Sequence, residues 1–367
     1  MSASEACSRL GIEHAIVQGP FGGGLSTVSL AAAVSNLGGL GSYGAFQLSP
    51  ERIEHVAREL GAATRAPYAI NLWVSDHDDG GLVPAADVLE RAWRVFEPYF
   101  SELGLARPEF PERFVAHRYE AQVEALLESR PPVFSFVFGI PSTRVLAECR
   151  RRGIVTLGAA TSIDEALAIE AAGVDLVVAT GSEAGGHRPS FLARAEDALM
   201  GTFALAQLVA ARVRIPVVVA GGIVDRRGVR AAHALGAGAV QVGTAFLACE
   251  ESGATPAHRA ALFDARAQRT TLTRAFTGRL ARGLRNRWTD EFAQRHTELA
   301  PFPVTSWFSA QLKSAAQRDG RTDLVSLWSG QAAPNLVHRD AASLMHELIA
   351  GVAPASESRT APQVAGA

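Results

Sequence analysis

Eight short apolar runs, separated by stretches with helical periodicity, constrain the fold of this chain more than any other feature. Several of the runs are apolar at consecutive positions, which is typical of parallel strands covered on both faces. Eight such strands alternating with helices favour a (β/α)8 barrel, the TIM barrel, over an open doubly wound sheet. The predicted strands are His14–Gln18, Gly39–Tyr43, Tyr68–Trp73, Val133–Phe138, Ile154–Leu157, Val174–Ala179, Pro216–Ala220 and Ala239–Val242.

Three of the helical stretches begin with recognisable capping residues. Ser49 precedes Pro50, which is typical of an N-cap followed by proline at the first helical position. Ser162 and Glu165 have the spacing of a capping box, and Asp225 can cap the helix after the seventh run. These signals predict helices after the second, fifth and seventh strands.

Two segments exceed what one barrel needs. We expect the barrel over residues 10–255, with an acidic loop and two helices inserted at 74–132, after the third strand. This insertion suits either a lid or a contact in a homodimer. Residues 256–353 are predicted to form a helical extension packed on the barrel, and residues 354–367 a disordered tail rich in Ser, Pro and Ala. Four arginines of the extension have the spacing of one exposed or subunit-facing helix: Arg279, Arg282, Arg285 and Arg287.

The charge composition narrows the ligands that the chain can hold. Its 35 basic and 37 acidic residues give a net charge of −2, which argues against nucleic-acid binding, since that needs a basic excess. The chain has a single lysine, Lys313. Schiff-base chemistry is therefore excluded unless Lys313 performs it, and a phosphate must be held by arginine or backbone N–H groups.

The cysteines and the distribution of apolar residues indicate the cellular compartment. The three cysteines are scattered and lack metal-ligand spacing, which is typical of structural thiols in a reducing compartment. Residues 1–10 lack the apolar core of a signal peptide, and no uncharged apolar run has the length and flanks of a membrane span. We therefore expect a soluble, cytoplasmic protein.

Glycine recurs where the predicted strands end, which is the edge where barrel enzymes bind their ligands. The first strand runs into the segment QGPFGGG at 18–24, the third ends near Asn71, and the sixth is followed by TGSEAGGH at 180–187. The seventh and eighth strands end in Gly221-Gly222 and Gly243-Thr244. Small residues and free N–H groups at two adjacent helix starts predict a phosphate site there.

His187 is the candidate catalytic residue, because a neutral histidine at a barrel mouth suits a general base near pH 7. A second histidine, His77, lies between aspartates, but its polar insertion favours a solvated loop over a metal site. We therefore expect no metal site.

The segment GLGSYG at 39–44 matches GxGxxG, yet it follows a helical pattern where a dinucleotide fingerprint requires a strand. We therefore do not interpret it as a dinucleotide-binding motif.

Taken together, these motifs resemble the nitronate monooxygenase family, formerly called 2-nitropropane dioxygenases. The resemblance runs from about residue 14 to 335. It rests on the segments AAAVSNLGGLGSYGA (31–45), PYAINLWV (67–74), SFVFGIPS (135–142), EAGGHRPS (183–190), PVVVAGGI (216–223), QVGTAFLACEESGA (241–254), TRAFTGRLARGLRN (273–286) and WSGQAA (328–333).

The resemblance implies an FMN-binding TIM barrel in which His187 is the catalytic base. It implies oxidative denitrification of alkyl nitronates or nitroalkanes with O2, giving carbonyl compounds and nitrite. Phe21 and Trp73 are expected to shape an apolar substrate pocket with His187. The positions expected to contact FMN are Gln18, Gly19, Pro20, Phe21, Gly22, Asn71, Thr180, Gly185, Gly186, Gly221, Gly222, Gln241, Val242, Gly243 and Thr244.

This sequence departs from the family pattern at two of these positions. Many members have Met where Phe21 stands, which changes one wall of the site. Many have Gln where Thr180 stands, so a side-chain hydrogen-bonding group expected near the flavin is missing. Neither change touches the predicted phosphate site.

Three alternatives remain open on sequence grounds. One is an FMN-dependent NAD(P)H enoyl-ACP or quinone reductase of the same barrel family, which shares an EAGGH-like loop. Another is a flavin-binding or regulatory barrel without turnover, and a third is a barrel that binds a different phosphorylated ligand.

Overall fold

The computed structural model describes residues 2–74, 83–114 and 117–352, and eight parallel strands form its central sheet. Within these ranges the chain has eleven strands: β1 (Ile16–Gln18), β2 (Gly41–Gly44), β3 (Tyr68–Trp73), β4 (Val133–Val137), β5 (Val155–Ala160), β6 (Leu176–Thr180), β7 (Gly186–His187), β8 (Val217–Ala220), β9 (Ala239–Val242), β10 (Thr270–Thr273) and β11 (Ala281–Leu284). The central sheet has the order β1-β9-β8-β6-β5-β4-β3-β2.

The sheet closes into a barrel through Leu40, just before β2. The Leu40 amide donates to the Ile16 carbonyl oxygen and its carbonyl oxygen accepts from the Gln18 amide, both at 2.9 Å. This parallel bridge joins the first and last strands of the order. The predicted TIM barrel is confirmed.

Helices surround the barrel and build the segments beyond it. They are α1 (Ala3–Leu10), α2 (Val28–Asn36), α3 (Pro50–Ala63), α4 (Ala86–Glu102), α5 (Tyr119–Ser129), α6 (Thr143–Arg152), α7 (Ile163–Ala171), α8 (Thr202–Ala210), α9 (Arg226–Ala234), α10 (Thr244–Leu247), α11 (Pro256–Phe263), α12 (Arg287–Glu291), α13 (Val304–Arg318) and α14 (Ala341–Ile349). Short 3₁₀ turns cover Ala265–Gln268, His296–Glu298 and Ala333–Asn335. No helix in the described ranges is long and apolar enough to cross a membrane.

The predicted caps begin their helices, with one difference. Ser49 accepts from the Arg52 amide, and Asp225 caps α9. Ser162 accepts from the Glu165 amide, which is half of the predicted capping box. The Glu165 carboxylate turns away from the cap and accepts from the amides of Thr161 and Phe191, at 2.7 and 2.6 Å. It thereby ties α7 to the loop after β6.

The interior of the barrel is apolar at the amino end and open at the carboxyl end. Inward side chains such as Ala69, Val178 and Ala239 form a buried cluster, and Ala6 and Leu10 of α1 close its base. Because side chains alternate along a strand, the next inward positions at the carboxyl end are polar. These are Asn71, Thr180 and Gln241.

Residues 74–132 contain the two predicted helices, but these pack on different parts of the molecule. Helix α5 packs on α3 and β3 of the barrel. Helix α4 packs on α13 of the extension, and Glu102 at its end pairs with Arg287 and Arg321 at 2.7 and 2.6 Å. The part of the insertion that includes His77, and the expected tail at 354–367, lie outside the described residues.

The extension contains a β-hairpin that the sequence analysis misses. β10 and β11 pair antiparallel, and β11 pairs with β7, where Ala281 lies opposite His187. The prediction that the arginine cluster lies on one exposed helix is therefore wrong. Arg282 is a buried residue of β11 whose guanidinium donates to the Ser182 carbonyl oxygen at 2.9 Å. The three-residue arginine spacing resembles a helix, but pairing with two strands sets the conformation.

Candidate active site

A cavity of about 310 Å³ opens at the carboxyl end of the barrel. Its floor comes from the ends of the barrel strands and its roof from the extension, chiefly the hairpin, α13 and the segment around Trp328. The cavity brings together most of the predicted site residues: Gly19, Pro20, Phe21, Gly22, Asn71, Trp73, Thr180, Gly185, Gly186, His187, Gly221, Gly222, Gln241, Gly243 and Thr244.

Two of the predicted contact residues, Gln18 and Val242, do not line this cavity. Strand alternation places Val242 on the same face as Val240, which packs toward the surrounding helices. Gln18 is fully buried. Its side-chain amide donates to the Gly19 carbonyl oxygen, and its Oε1 accepts from the Ser42 amide at 2.8 Å. Gln18 thus shapes the backbone next to the cavity.

His187 is held by β7, a strand outside the barrel sheet. Gly186 before it has φ +78°, a conformation that glycine adopts readily. A Cβ at Gly185 would lie 2.6 Å from the Gly330 amide nitrogen, so only glycine fits there. The buried Arg188 after it donates to the carbonyl oxygens of Gly181 and Ala198, at 2.6 and 2.9 Å. These contacts fix the loop that presents the imidazole.

The imidazole of His187 lies in an aromatic enclosure. Its ring centroid is 5.0 Å from that of Trp73, 5.3 Å from Trp328 and 6.1 Å from Phe138. Its Nε2 lies 2.9 Å from the hydroxyl of Thr277. Burial and the positive charge of Arg279 lower the pKa of His187 to about 3. The ring is therefore neutral at pH 7.

Arg279 places a positive charge beside this enclosure. Its guanidinium carbon lies 4.2 Å from the ring centroid of Phe302, 4.3 Å from Phe138 and 5.1 Å from Trp73, in cation–π contact with all three. Phe138 has φ +67°, which is rare for a bulky residue and marks stored backbone strain at the site. The surrounding packing thus holds both aromatic ring and cation in place.

In the same cavity, the ends of β8 and β9 form a small, open cradle. Gly222 has φ +74°, and among the described residues a Cβ added to it would meet only the Cβ of Glu183, at 3.7 Å. A Cβ added to Gly243 would meet no atom of the described residues within 4 Å. Thr244 beside it accepts from the Gly330 amide at 2.8 Å, which couples this edge to the extension. The cradle has room for a ligand group that approaches the backbone closely.

The extension supplies the site residues that sequence reasoning missed. Thr277 and Arg279 follow β10, and Trp328 lies near the chain's end. Lys313, the single lysine, also lines the cavity from α13, together with Ser306 and Ser309. The family-like segments at 273–286 and 328–333 contain three of these positions and could have pointed to them. Lys313 carries no such signal.

Lys313 is a half-buried cation without a counter-charge in the described part of the chain, where it forms no ion pair. Burial lowers its pKa. The described residues also contain no group of three or more His, Cys, Asp or Glu side chains that could hold a metal ion. Polar side chains that line the cavity include His187, Thr277 and Lys313, and the backbone of the glycine cradle also borders it.

Comparison with known proteins identifies close relatives. The family model described as nitronate monooxygenase matches residues 4–353. The nitronate monooxygenase of Paraburkholderia phytofirmans is 41% identical over 92% of each chain, and that of Pseudomonas aeruginosa is 43% identical over 93% of this chain and 96% of its own. Nitroalkane oxidase from Streptomyces ansochromogenes is similar in structure, with a TM-score of 0.85 and 36% identity over 93% of this chain and 96% of its own. FabK from Thermotoga maritima has a TM-score of 0.73 and 28% identity over 95% of each chain.

Proposed function

Because the chain belongs to the nitronate monooxygenase family, and is thus an oxidoreductase, we propose that it is an FMN-dependent nitronate monooxygenase. In this reaction an alkyl nitronate and O2 give a carbonyl compound and nitrite. The observation that carries the proposal is the enclosed, neutral His187 with a fixed positive charge beside it, facing a cavity at the carboxyl end of a barrel.

The glycine cradle fits the phosphate of FMN. Because Gly222 and Gly243 have no side chains, they leave open space that a ligand group can occupy. Backbone N–H groups next to this space can bind an anion without a lysine side chain. Gly221, Gln241 and Thr244 would complete the phosphate end. The other flavin contacts would come from Gly19, Pro20, Phe21, Gly22, Asn71, Thr180, Gly185 and Gly186. When bound, FMN would supply the electron transfer and the reactivity toward O2.

Arg279 and the aromatic rings suit an anionic substrate with an apolar body. A nitronate carries its negative charge on the nitro group, and the nearby Arg279 charge favours an anion in the cavity. Phe21 and Trp73 would contact the alkyl part. Because His187 is neutral, the positive charge that favours a nitronate comes from Arg279.

His187 is the proposed base for neutral nitroalkanes, from which it would take the α-proton. Its low pKa makes it a weak base, because the imidazolium that forms is poorly solvated and lies near Arg279. Nitronates need no such deprotonation. We therefore expect higher turnover of nitronates than of the corresponding neutral nitroalkanes.

Anaerobic mixing of the purified protein with a nitronate, and separately with NADPH, tests this function. We expect a flavin absorbance spectrum that bleaches with the nitronate, and nitrite release once air is admitted. Rapid bleaching by NADPH without any reaction with the nitronate would instead support the reductase. A colourless protein that takes up no FMN would point to a different phosphorylated ligand.

Replacement of His187 tests whether this residue takes part in turnover. His187→Asn should reduce nitroalkane oxidation by roughly 100-fold while flavin binding persists, since a positioned base contributes about that much. An unchanged rate in His187→Asn with both nitronates and nitroalkanes would remove His187 from catalysis.

A further inference from the structure

The hydroxyl of Thr277 sits at the centre of three polar contacts in the turn between β10 and β11. Its Oγ1 lies 2.9 Å from His187 Nε2, 3.2 Å from the Arg279 backbone nitrogen and 3.3 Å from the Arg279 carbonyl oxygen. A threonine hydroxyl has one proton to donate and two lone pairs with which to accept. The partners therefore determine where that proton lies.

Only one proton arrangement satisfies all three contacts. The Arg279 carbonyl oxygen can only accept, so the hydroxyl proton must point toward it. The Arg279 amide can only donate, so it occupies one lone pair of Oγ1. The remaining lone pair faces His187 Nε2, which must then carry the ring proton. The opposite arrangement, with the hydroxyl donating to Nε2, leaves the Arg279 carbonyl contact unmade.

We propose that Thr277 is a positioning residue that holds His187 as the Nε2–H tautomer, with the lone pair on Nδ1. In the described part of the chain Nδ1 has no hydrogen-bond partner, and the ring lines the cavity. Nδ1 is therefore the atom that receives a proton from a ligand. This inference rests on the proposed role of His187 as a base.

The proton transfer balances with this assignment. Nδ1 takes the α-proton of a neutral nitroalkane, the C–H bond breaks, and its electron pair stays on the substrate as the nitronate. The Nε2–H group continues to donate to Thr277, so the hydroxyl of Thr277 stabilises the imidazolium that forms. With the other tautomer, Nδ1 would already hold a proton and could take none.

The direct test is nitrogen-15 NMR of the flavin-loaded enzyme with labelled histidine, in which His187→Gln identifies the signals of His187. We expect a protonated-type shift for Nε2 and an unprotonated-type shift for Nδ1 at pH 7. The reverse pattern in the wild-type enzyme would overturn the proposal, and this outcome does not depend on any variant of Thr277.

Two variants test the hydroxyl. Thr277→Val removes it at nearly constant volume, and Thr277→Ser retains it. We expect Thr277→Val to mix the two tautomers and to lower kcat for neutral nitroalkanes by about 10-fold or more, with nitronate turnover changed less than three-fold. Thr277→Ser should keep the wild-type NMR pattern and a rate within about three-fold.

Thr271→Val provides the matched control, because within the described residues the Thr271 hydroxyl on β10 hydrogen-bonds only to the Leu272 carbonyl oxygen, and Thr271 does not line the cavity. Flavin content and circular dichroism should match the wild type in all variants. An unchanged tautomer in Thr277→Val would contradict the proposal. The NMR pattern is measured without turnover, so the absence of nitronate oxidation would refute the proposed function while leaving this assignment intact.

Discussion

The indole of Trp73 meets the imidazole of His187 edge to face, with the two ring centroids 5.0 Å apart and the ring planes at 74°. Phe46 stacks on the other side of the indole, with centroids 4.0 Å apart. This stack holds Trp73 against the imidazole. The enclosure therefore determines both the shape of the cavity and the charge state of its histidine.

Removal of the neighbouring charge should make His187 more basic. In Arg279→Met the coulombic repulsion of the imidazolium is lost, and we expect the pKa of His187 to rise above its wild-type value of about 3. Proton NMR titration of the ring measures this shift. Arg285→Met is the control, since Arg285 pairs with Asp290 on the exposed surface. A pKa that does not move in Arg279→Met would remove Arg279 as a cause.

The low pKa of His187 also predicts how stability depends on pH. The unfolded chain takes up a proton below pH 6.5, whereas the folded imidazole stays neutral down to about pH 3. Folding is therefore weakened progressively as the pH falls through this window. In His187→Gln this loss disappears, so at pH 5 the variant should gain about 1 to 2 kcal/mol relative to its difference from wild type at pH 8.

Urea unfolding at the two pH values measures the change. His258 has a pKa lowered to about 4 by burial and remains in both proteins, so its contribution cancels. Parallel pH curves for wild type and His187→Gln would contradict a depressed pKa.

FMN binding at the glycine cradle should be weakened by the addition of a single methyl group. Gly243→Ala adds a Cβ that meets no atom within 4 Å in the part of the chain that the structure describes, so the stability of the flavin-free protein should change by less than about 0.5 kcal/mol. FMN affinity should fall by about 10-fold or more, because the methyl group occupies space proposed for the phosphate. Fluorescence titration with FMN measures the affinity.

Gly61→Ala on α3 is the control for the cradle, since Gly61 lies on an outer helix away from the cavity. It should retain FMN affinity. Equal FMN binding by Gly243→Ala and the wild type would rule out the cradle as the phosphate site.

We expect Lys313 to lower the free energy of unfolding of the flavin-free protein. Lys313→Met keeps the side-chain length and removes a half-buried charge that forms no ion pair within the described residues, so we expect a gain in stability of about 1 kcal/mol at pH 7. Because the folded pKa lies below 10.5, the lysine penalty fades as the pH rises toward that value, and the gain should shrink. Thermal unfolding at pH 7 and pH 10 measures both effects, with the exposed Arg318→Met on the same helix as control.

Trp73 should limit the size of the substrate. Trp73→Ala removes one wall of the cavity, and we expect the ratio of kcat/KM for a branched nitronate to that for a linear one to rise by about 10-fold. Steady-state nitrite release with the two substrates measures the ratio. Trp307→Ala, on the outward side of α13 against Phe110 and Phe114, is the control and should leave the ratio unchanged.

The barrel could be predicted from sequence because each of its strands corresponds to a short local run of apolar residues. The predicted bounds of Tyr68–Trp73 and Ala239–Val242 match the observed strands, since each is a compact run of strand-forming residues. The extension could not be predicted in the same way. β11 carries Arg282 in its centre, and its strand conformation depends on pairing with β7, about 95 residues earlier in the chain.

The same distinction applies to the candidate site, whose floor could be predicted from sequence and whose roof could not. Glycines at strand ends mark the floor, because the TIM barrel fixes where those ends meet. The Thr277 partner of His187 is 90 residues away along the chain, and no periodicity connects the two. Gln18 and Val242 show a further limit, since proximity to a strand end does not determine which face a side chain takes.

The separate origins of floor and roof have a consequence for how such an enzyme can diversify. The proposed cofactor cradle lies at the ends of strands that hold the barrel together, so changes to the buried side chains of those strands, unlike the methyl group added at Gly243, would carry a penalty in folding. The roof residues of α13 and the hairpin contribute no strand to the barrel. Mutations in the roof can alter which molecule is accepted while the redox apparatus is inherited unchanged, and selection can act on the two halves at different rates.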